Sequence, residues 1–197
     1  MISDGRYQQF LAVFLAILCS LSTACGKSAL EGGRGPDALG KESSLRELTA
    51  RGDASAAIGD MIRAEQYFVS ALKAGGDERK LVRRLLVVCA ADQRYPAAAE
   101  YAEQYLHRHP TDIDLRFAAA SIQAAVGDTR RARELLDSVL RERPDWAEAH
   151  YALASMMRAQ GEPLALADLH DLQYLKLNPQ GALAETARAR VARRGTP

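Results

Sequence analysis

The stretch Gly127-Asp128-Thr129-Arg130-Arg131-Ala132-Arg133-Glu134-Leu135-Leu136-Asp137-Ser138-Val139-Leu140-Arg141-Glu142-Arg143-Pro144 decides how the chain is read. Its apolar residues Ala132, Leu135, Leu136, Val139 and Leu140 fall at i, i+3, i+4, i+7 and i+8, the spacing that lines one face of an α-helix. Gly127-Asp128 turns the chain and caps this helix, and Pro144 stops it. Upstream, residues 113–126 carry a second stripe of the same period through Leu115, Ala118, Ala119, Ile122 and Val126. Two helices joined by so short a turn form a hairpin whose apolar faces meet.

The same hairpin recurs with a period of about 34 residues. Gly59-Asp60 lies two periods before Gly127-Asp128, Gly161-Glu162 lies one period after it, and Gln93 occupies the intervening place. Gly76, Pro110, Pro144 and Pro179 mark unit ends, and Ala64, Ala98 and Ala132 keep phase, with Ala167 displaced by one residue after an insertion near Glu162-Pro163. Four units follow, 45–78, 79–112, 113–146 and 147–181, within a repeat region 44–181. The second unit divides into helices over 81–91 and 96–109, the fourth into 147–160 and 163–177. The first is weaker: Ser44-Leu45-Arg46-Glu47 forms a capping box, but Gly52 falls inside the helix at a cost of about 1 kcal/mol relative to Ala. Its second helix, 62–74, is carried by Ala64, Tyr67, Phe68, Ala71 and Leu72. Residues 182–197 supply a capping helix and tail, with Leu183, Ala187 and Val191 covering the last apolar face of an all-α solenoid.

The pattern resembles the tetratricopeptide repeat family, best over Ala147–Gly161 and Gly127–Pro144. Gln93 departs from it at a turn glycine, Gly76 at a terminal proline, and Arg116 and Val82 at a large aromatic in the first helix. The resemblance implies a right-handed α–α superhelix whose concave face takes a peptide or a partner helix. By phase, Arg83, Phe117 and Tyr151 then form a ladder down that face, with Val87, Ser121 and Ser155 beside it. Lys80, Asp114 and Glu148 stand one turn earlier, and Arg158 near the far end of the last unit. A basic start at Lys80, Arg83 and Arg84 that passes to an aromatic floor suits a peptide with a carboxylate feature and apolar anchors. The same spacing is also met if Phe117 and Tyr151 pack between helices.

The N-terminus adds an address. Residues 10–21 are an apolar run of about 12, too short to cross a roughly 30 Å hydrocarbon core but suited to a signal peptide. Ser22, Thr23, Ala24 and Cys25 resemble a bacterial lipobox, with Leu21 one place further upstream than the family prefers. That resemblance implies a signal peptide over 1–24, lipidation of Cys25, and, because Gly26 is not Asp, the periplasmic face of the outer membrane. Residues 25–43 then form the lipidated Cys and a flexible Gly/Ser-rich tether.

Composition narrows the functions. Lys and Arg number 26 against 25 Asp and Glu, which excludes a strongly basic nucleic-acid binder. Apolar residues at 48% suffice for a core. Gly35–Lys41 imitates a P-loop, but Glu42 stands where a Mg²⁺-ligating hydroxyl is needed and no strand precedes it. Cys89 lies in an apolar helical run and reads as a packing thiol. His107 and His109 point apart, Asp112 and Asp114 read as caps, and Asp168 and Asp171 with His170 read as solvated groups on an outer helix. Neither metal, cofactor nor catalysis is expected. The expected function is a membrane-anchored protein-interaction scaffold serving an envelope, secretion or pilus complex. The alternatives are a self-associating structural adaptor and an accessory subunit of an envelope enzyme.

Overall fold

The computed structural model describes residues 36–193, with side chains described from residue 44 onward. The export segment 1–24, Cys25 and residues 26–35 lie outside the described residues. The chain divides into two compact units between His109 and Pro110. The first holds α1 (Pro36–Ala57), α2 (Met61–Lys73), α3 (Glu78–Ala91) and α4 (Tyr95–Arg108). The second holds α5 (Ile113–Val126), α6 (Thr129–Glu142), α7 (Ala147–Ala159), α8 (Leu164–Leu177) and α9 (Ala184–Ala192). Helices α1 and α2, α3 and α4, α5 and α6, and α7 and α8 pack as hairpins, and α9 packs on α8. The fold is all-α. Among the described residues, no helix is long and apolar enough to cross a membrane.

Local chemistry explains the punctuation. Asp60, Asp77, Asp112 and Asp128 each precede a helix, and each carboxylate accepts a hydrogen bond from a backbone N–H three residues on, at 2.9–3.1 Å. These side chains satisfy donors that a helix start leaves orphaned. The turns within the hairpins take a left-handed residue: Gly59 at φ 83°, Gly127 at 98° and Gly161 at 72°, with Gln93 at 58° in the equivalent place. A side chain with a Cβ is strained there. Gln93→Gly is therefore expected to stabilise the protein by about 0.5–1 kcal/mol, the relief of that strain less the extra freedom glycine gives the unfolded chain. A raised urea midpoint at unchanged slope checks this.

Two features of the first hairpin differ from the sequence reading. Helix α1 starts at Pro36, inside the segment expected to be tether, and runs through the expected capping box at Ser44. Proline is preorganised for a first helical position, and Ala38, Leu39, Lys41 and Glu42 are good helix formers. Gly52 is buried, and a Cβ built on it would lie 2.4 Å from the Phe68 ring. The missing side chain lets the fully buried Phe68 of α2 seat directly against α1. Close helix contact, rather than turn chemistry, accounts for this glycine.

Helix α8 has an inverted face pattern. Asp168 and Asp171 point inward with Ala167 and Tyr174, whereas Leu164, Leu166, Leu169 and Leu172 are about half or more exposed. Asp168 and Asp171 are thus not the solvated groups expected from the sequence. The groups that hold them inside come from α7 and α9.

Candidate interaction surfaces

In the first unit, the three basic residues expected to open a groove have separate roles. Lys80 is exposed, and its Nζ lies 3.2 Å from Asp77 Oδ2, one turn earlier. Arg84 donates from Nε to Asp53 Oδ1 at 2.8 Å and from Nη2 to Oδ2 at 3.2 Å, a forked pair that braces α3 against α1. Arg83 is half-buried, and no ion pair engages it among the described residues. Of the other cations of this unit, Arg94 pairs with Glu65 and Asp92, and Arg108 donates to Glu78.

In the second unit, the aromatic floor expected from the phase of the repeat is corrected by packing. Phe117 is 4% exposed, with its ring centroid 4.7 Å from that of Trp146, and the Arg143 guanidinium lies 4.4 Å over the Trp146 ring. Tyr151 is 6% exposed, meets Tyr174 edge-on at 5.4 Å, and carries Arg190 of α9 at 4.6 Å over its ring. Both rings are therefore hairpin and cap packing, because Trp146 and α9 cover the positions that the period alone leaves open. Ser155 is also buried, its Oγ accepting from Arg190 Nη1 at 2.7 Å. Ser121 is half-buried and donates to the Phe117 carbonyl at 3.3 Å, the usual helix-internal use of a serine.

Arg158 is part of the same interior. It pairs with Asp168, and its Nη1 lies 2.7 Å from Oδ2 of Asp171, which is fully buried. Arg190 stands 3.8 Å from the other Asp171 oxygen. Neither oxygen of Asp171 receives a well-aligned hydrogen bond, so the two guanidiniums balance its charge mainly through space. Burial pushes the Asp171 carboxyl above its ordinary range, while Arg158 and Arg190 oppose that shift. A charge pair in this setting fixes the rotation of α8 about its own axis, and so turns the leucines outward.

His150 and His170 stack with their Nδ1 atoms 2.9 Å apart. The Pro144 carbonyl can only accept, so the 3.0 Å contact to it puts a proton on His150 Nε2. Nδ1 of neutral His150 then accepts from Nδ1–H of His170. Burial lowers the His170 pKa from 6.5; His150 and Arg133 lower it further, and Asp137 opposes them. With its folded value below the unfolded one, His170 contributes stability that is present above about pH 6.5 and is lost as acid charges its ring. The melting temperature is expected to fall from about pH 7.5 to about pH 5 by more in the parent protein than in His170→Gln.

The chemistry expected to be absent has these counterparts. Cys89 is buried and unpaired, and desolvation pushes its thiol up to about 12, which keeps it protonated and unreactive at neutral pH. Asp112 caps α5, whereas Asp114 lies 3.5 Å from Arg143. His109 hydrogen-bonds Glu78 at 3.0 Å. Among the described residues, no three His, Cys, Asp or Glu side chains come together to hold a metal.

Residues 90–156 match the family model of the tetratricopeptide repeat. No curated protein sequence matches the chain. Solved structures share its fold. One is YrrB, described as a TPR protein with an unusual peptide-binding site, at 20% identity and a TM-score of 0.63 over 75% of this chain and 76% of that one. Another is a tetratricopeptide repeat protein from Parabacteroides merdae ATCC 43184, at 21% identity and 0.66 over 78% and 61%. A third is MamA from residue 41 onward, from Desulfovibrio magneticus RS-1, at 16% identity and 0.60 over 92% and 99%. The fold is that of the tetratricopeptide repeat proteins.

Proposed function

We propose that this chain is a non-enzymatic scaffold that holds a protein partner at the bacterial envelope. The observation that carries this reading is Arg83, a half-buried cation on the leading helix of its hairpin with no ion pair among the described residues, beside Arg84, which is paired with Asp53. Repeat hairpins bury their apolar faces against one another and leave their leading-helix side chains to define recognition. A partner segment with a carboxylate matches Arg83, whose neighbours Lys80 and Arg84 are already paired with Asp77 and Asp53. The peptide-binding site ascribed to YrrB is consistent with this use of the fold.

The lipobox resemblance at Cys25 supports anchoring to the periplasmic face of the outer membrane, with residues ahead of α1 as the link. Several acyl chains on one cysteine give stable attachment where a single chain is marginal. The partner then belongs to an envelope, secretion or pilus assembly. A photo-crosslinking residue at position 80, introduced into the full chain and activated in cells, tests the reading. The expected product is one defined protein, reduced at least tenfold by Arg83→Glu, with a diacylated Cys25 peptide in the membrane fraction. Capture that is indifferent to Arg83→Glu would remove the recognition site, and an unmodified Cys25 would remove the anchor.

A further inference from the structure

The geometry points to a two-histidine site at the seam of α7 and α8, where Nδ1 of His150 and Nδ1 of His170 hold a first-row transition-metal ion of the zinc, nickel or copper class. The site lies in the second unit and stands independently of the reading built on Arg83.

The first argument is convergence. His150 stands on α7 and His170 on α8, and their Nδ1 atoms approach to 2.9 Å. Metal–imidazole bonds of about 2.0–2.1 Å, at the angles of square-planar or tetrahedral sites, put two neighbouring nitrogens about 2.8–3.4 Å apart. The observed spacing therefore fits without moving either helix. The nitrogens face one another head-on, with ring centroids 5.2 Å apart, so each ring must tilt to aim at an ion beside the line between them. Both side chains are half-buried, which leaves room for the tilt and for water at the remaining coordination positions.

The second argument is the support behind the ligands. Nε2–H of His150 donates to the Pro144 carbonyl at 3.0 Å, which turns the Nδ1 lone pair of that ring toward His170. A backbone carbonyl on the far nitrogen is the usual outer partner of a metal-binding histidine, because it fixes both tautomer and ring orientation. His170 is placed by its helix: the rotation that buries Asp171 sets the preceding residue at the seam with α7. On binding, His170 moves its proton from Nδ1 to Nε2, so both rings stay neutral and the ion replaces one shared hydrogen.

The third argument is charge. Arg133 and Asp137 of α6 both act on His170. Arg133 is paired with Glu162, which leaves the Asp137 carboxylate to favour a cation. Two imidazoles select against magnesium and calcium, which take oxygen ligands. With only two protein ligands the ion is exchangeable, and it ties α7 to α8 in the folded state alone.

The test uses the full chain with zinc chloride at about pH 7.5, where histidines are neutral. Zinc is expected to raise the melting temperature by at least about 3 °C, reversibly with chelator. His150→Gln and His170→Gln are each expected to weaken zinc binding by about tenfold or more in calorimetry, whereas His107→Gln retains it. With copper(II) as the probe, electron paramagnetic resonance should show two equatorial nitrogens in the parent protein and fewer in either seam variant. Circular dichroism establishes that each variant is folded. No zinc shift, a shift that both seam variants keep, or an equal shift with magnesium would overturn the inference.

Discussion

Phe117→Ala is expected to lower the unfolding free energy by about 3–5 kcal/mol, the usual cost of removing a buried aromatic ring. The ring is almost fully enclosed and stacks on Trp146, so its loss leaves a cavity between α5 and the start of α7 and frees Trp146 with its Arg143 cover. Hydrogen exchange on α5 and α7 should accelerate together, since both helices border the gap. Had the ring been a groove anchor, the same substitution would leave melting unchanged and remove only partner capture. Arg83→Ala is the reverse case: its side chain braces nothing described, so melting should move by less than about 0.5 kcal/mol while capture falls.

Arg158→Met is expected to cost about 3–5 kcal/mol, because removing one partner leaves the Asp171 carboxylate in the interior with only Arg190 at longer range. This deficit carries a pH signature. Burial holds the folded Asp171 pKa above the ordinary 3.8, and loss of Arg158 removes one of the charges that oppose the rise. A folded value above the unfolded one means that the folded state takes up the proton first, so the deficit is largest at neutral pH. The part due to the Asp171 charge shrinks as pH falls through the raised folded value and is gone below 3.8, where both states are protonated, leaving the loss of the Arg158–Asp168 contact. The pH dependence from His170 is common to parent and variant and cancels in the difference. Asp171→Asn in the Arg158→Met background should recover much of the loss at neutral pH, because it removes the uncompensated charge. Urea unfolding of the three proteins at two pH values checks these expectations.

The sequence makes the hairpins legible because their signals are local. Asp60, Asp128 and the glycines beside them recur at one spacing, and the structure uses them as caps and left-handed turns. Gln93 could be placed at a turn because its neighbours one period away are glycines. Gly52 reads as a defect, since the reason for it is Phe68, sixteen residues away on another helix. The phase of Phe117 and Tyr151 is correct, but phase alone cannot show that Trp146 and α9 cover them. Helix α8 misleads most. Leucines at 164, 166, 169, 172, 175 and 177 surround much of the helix, so apolar periodicity selects no face. The choice is made by Arg158 and Arg190, from two other helices, which draw Asp168 and Asp171 inward. The visible clue is an arginine on each flanking helix with two aspartates three residues apart between them.

The rotation of α8 joins the buried charge cluster to the exposed leucines. Maleimide labelling of single cysteines placed at positions 167 and 169 in the full chain, followed at the peptide level by mass spectrometry in dilute solution, reads it directly. Leu169→Cys should label at the rate of a free thiol, and Ala167→Cys should be protected at least a hundredfold until denaturant is added, as Ala167 is fully buried. Fast labelling at 167 with protection at 169 that persists on dilution would contradict the account.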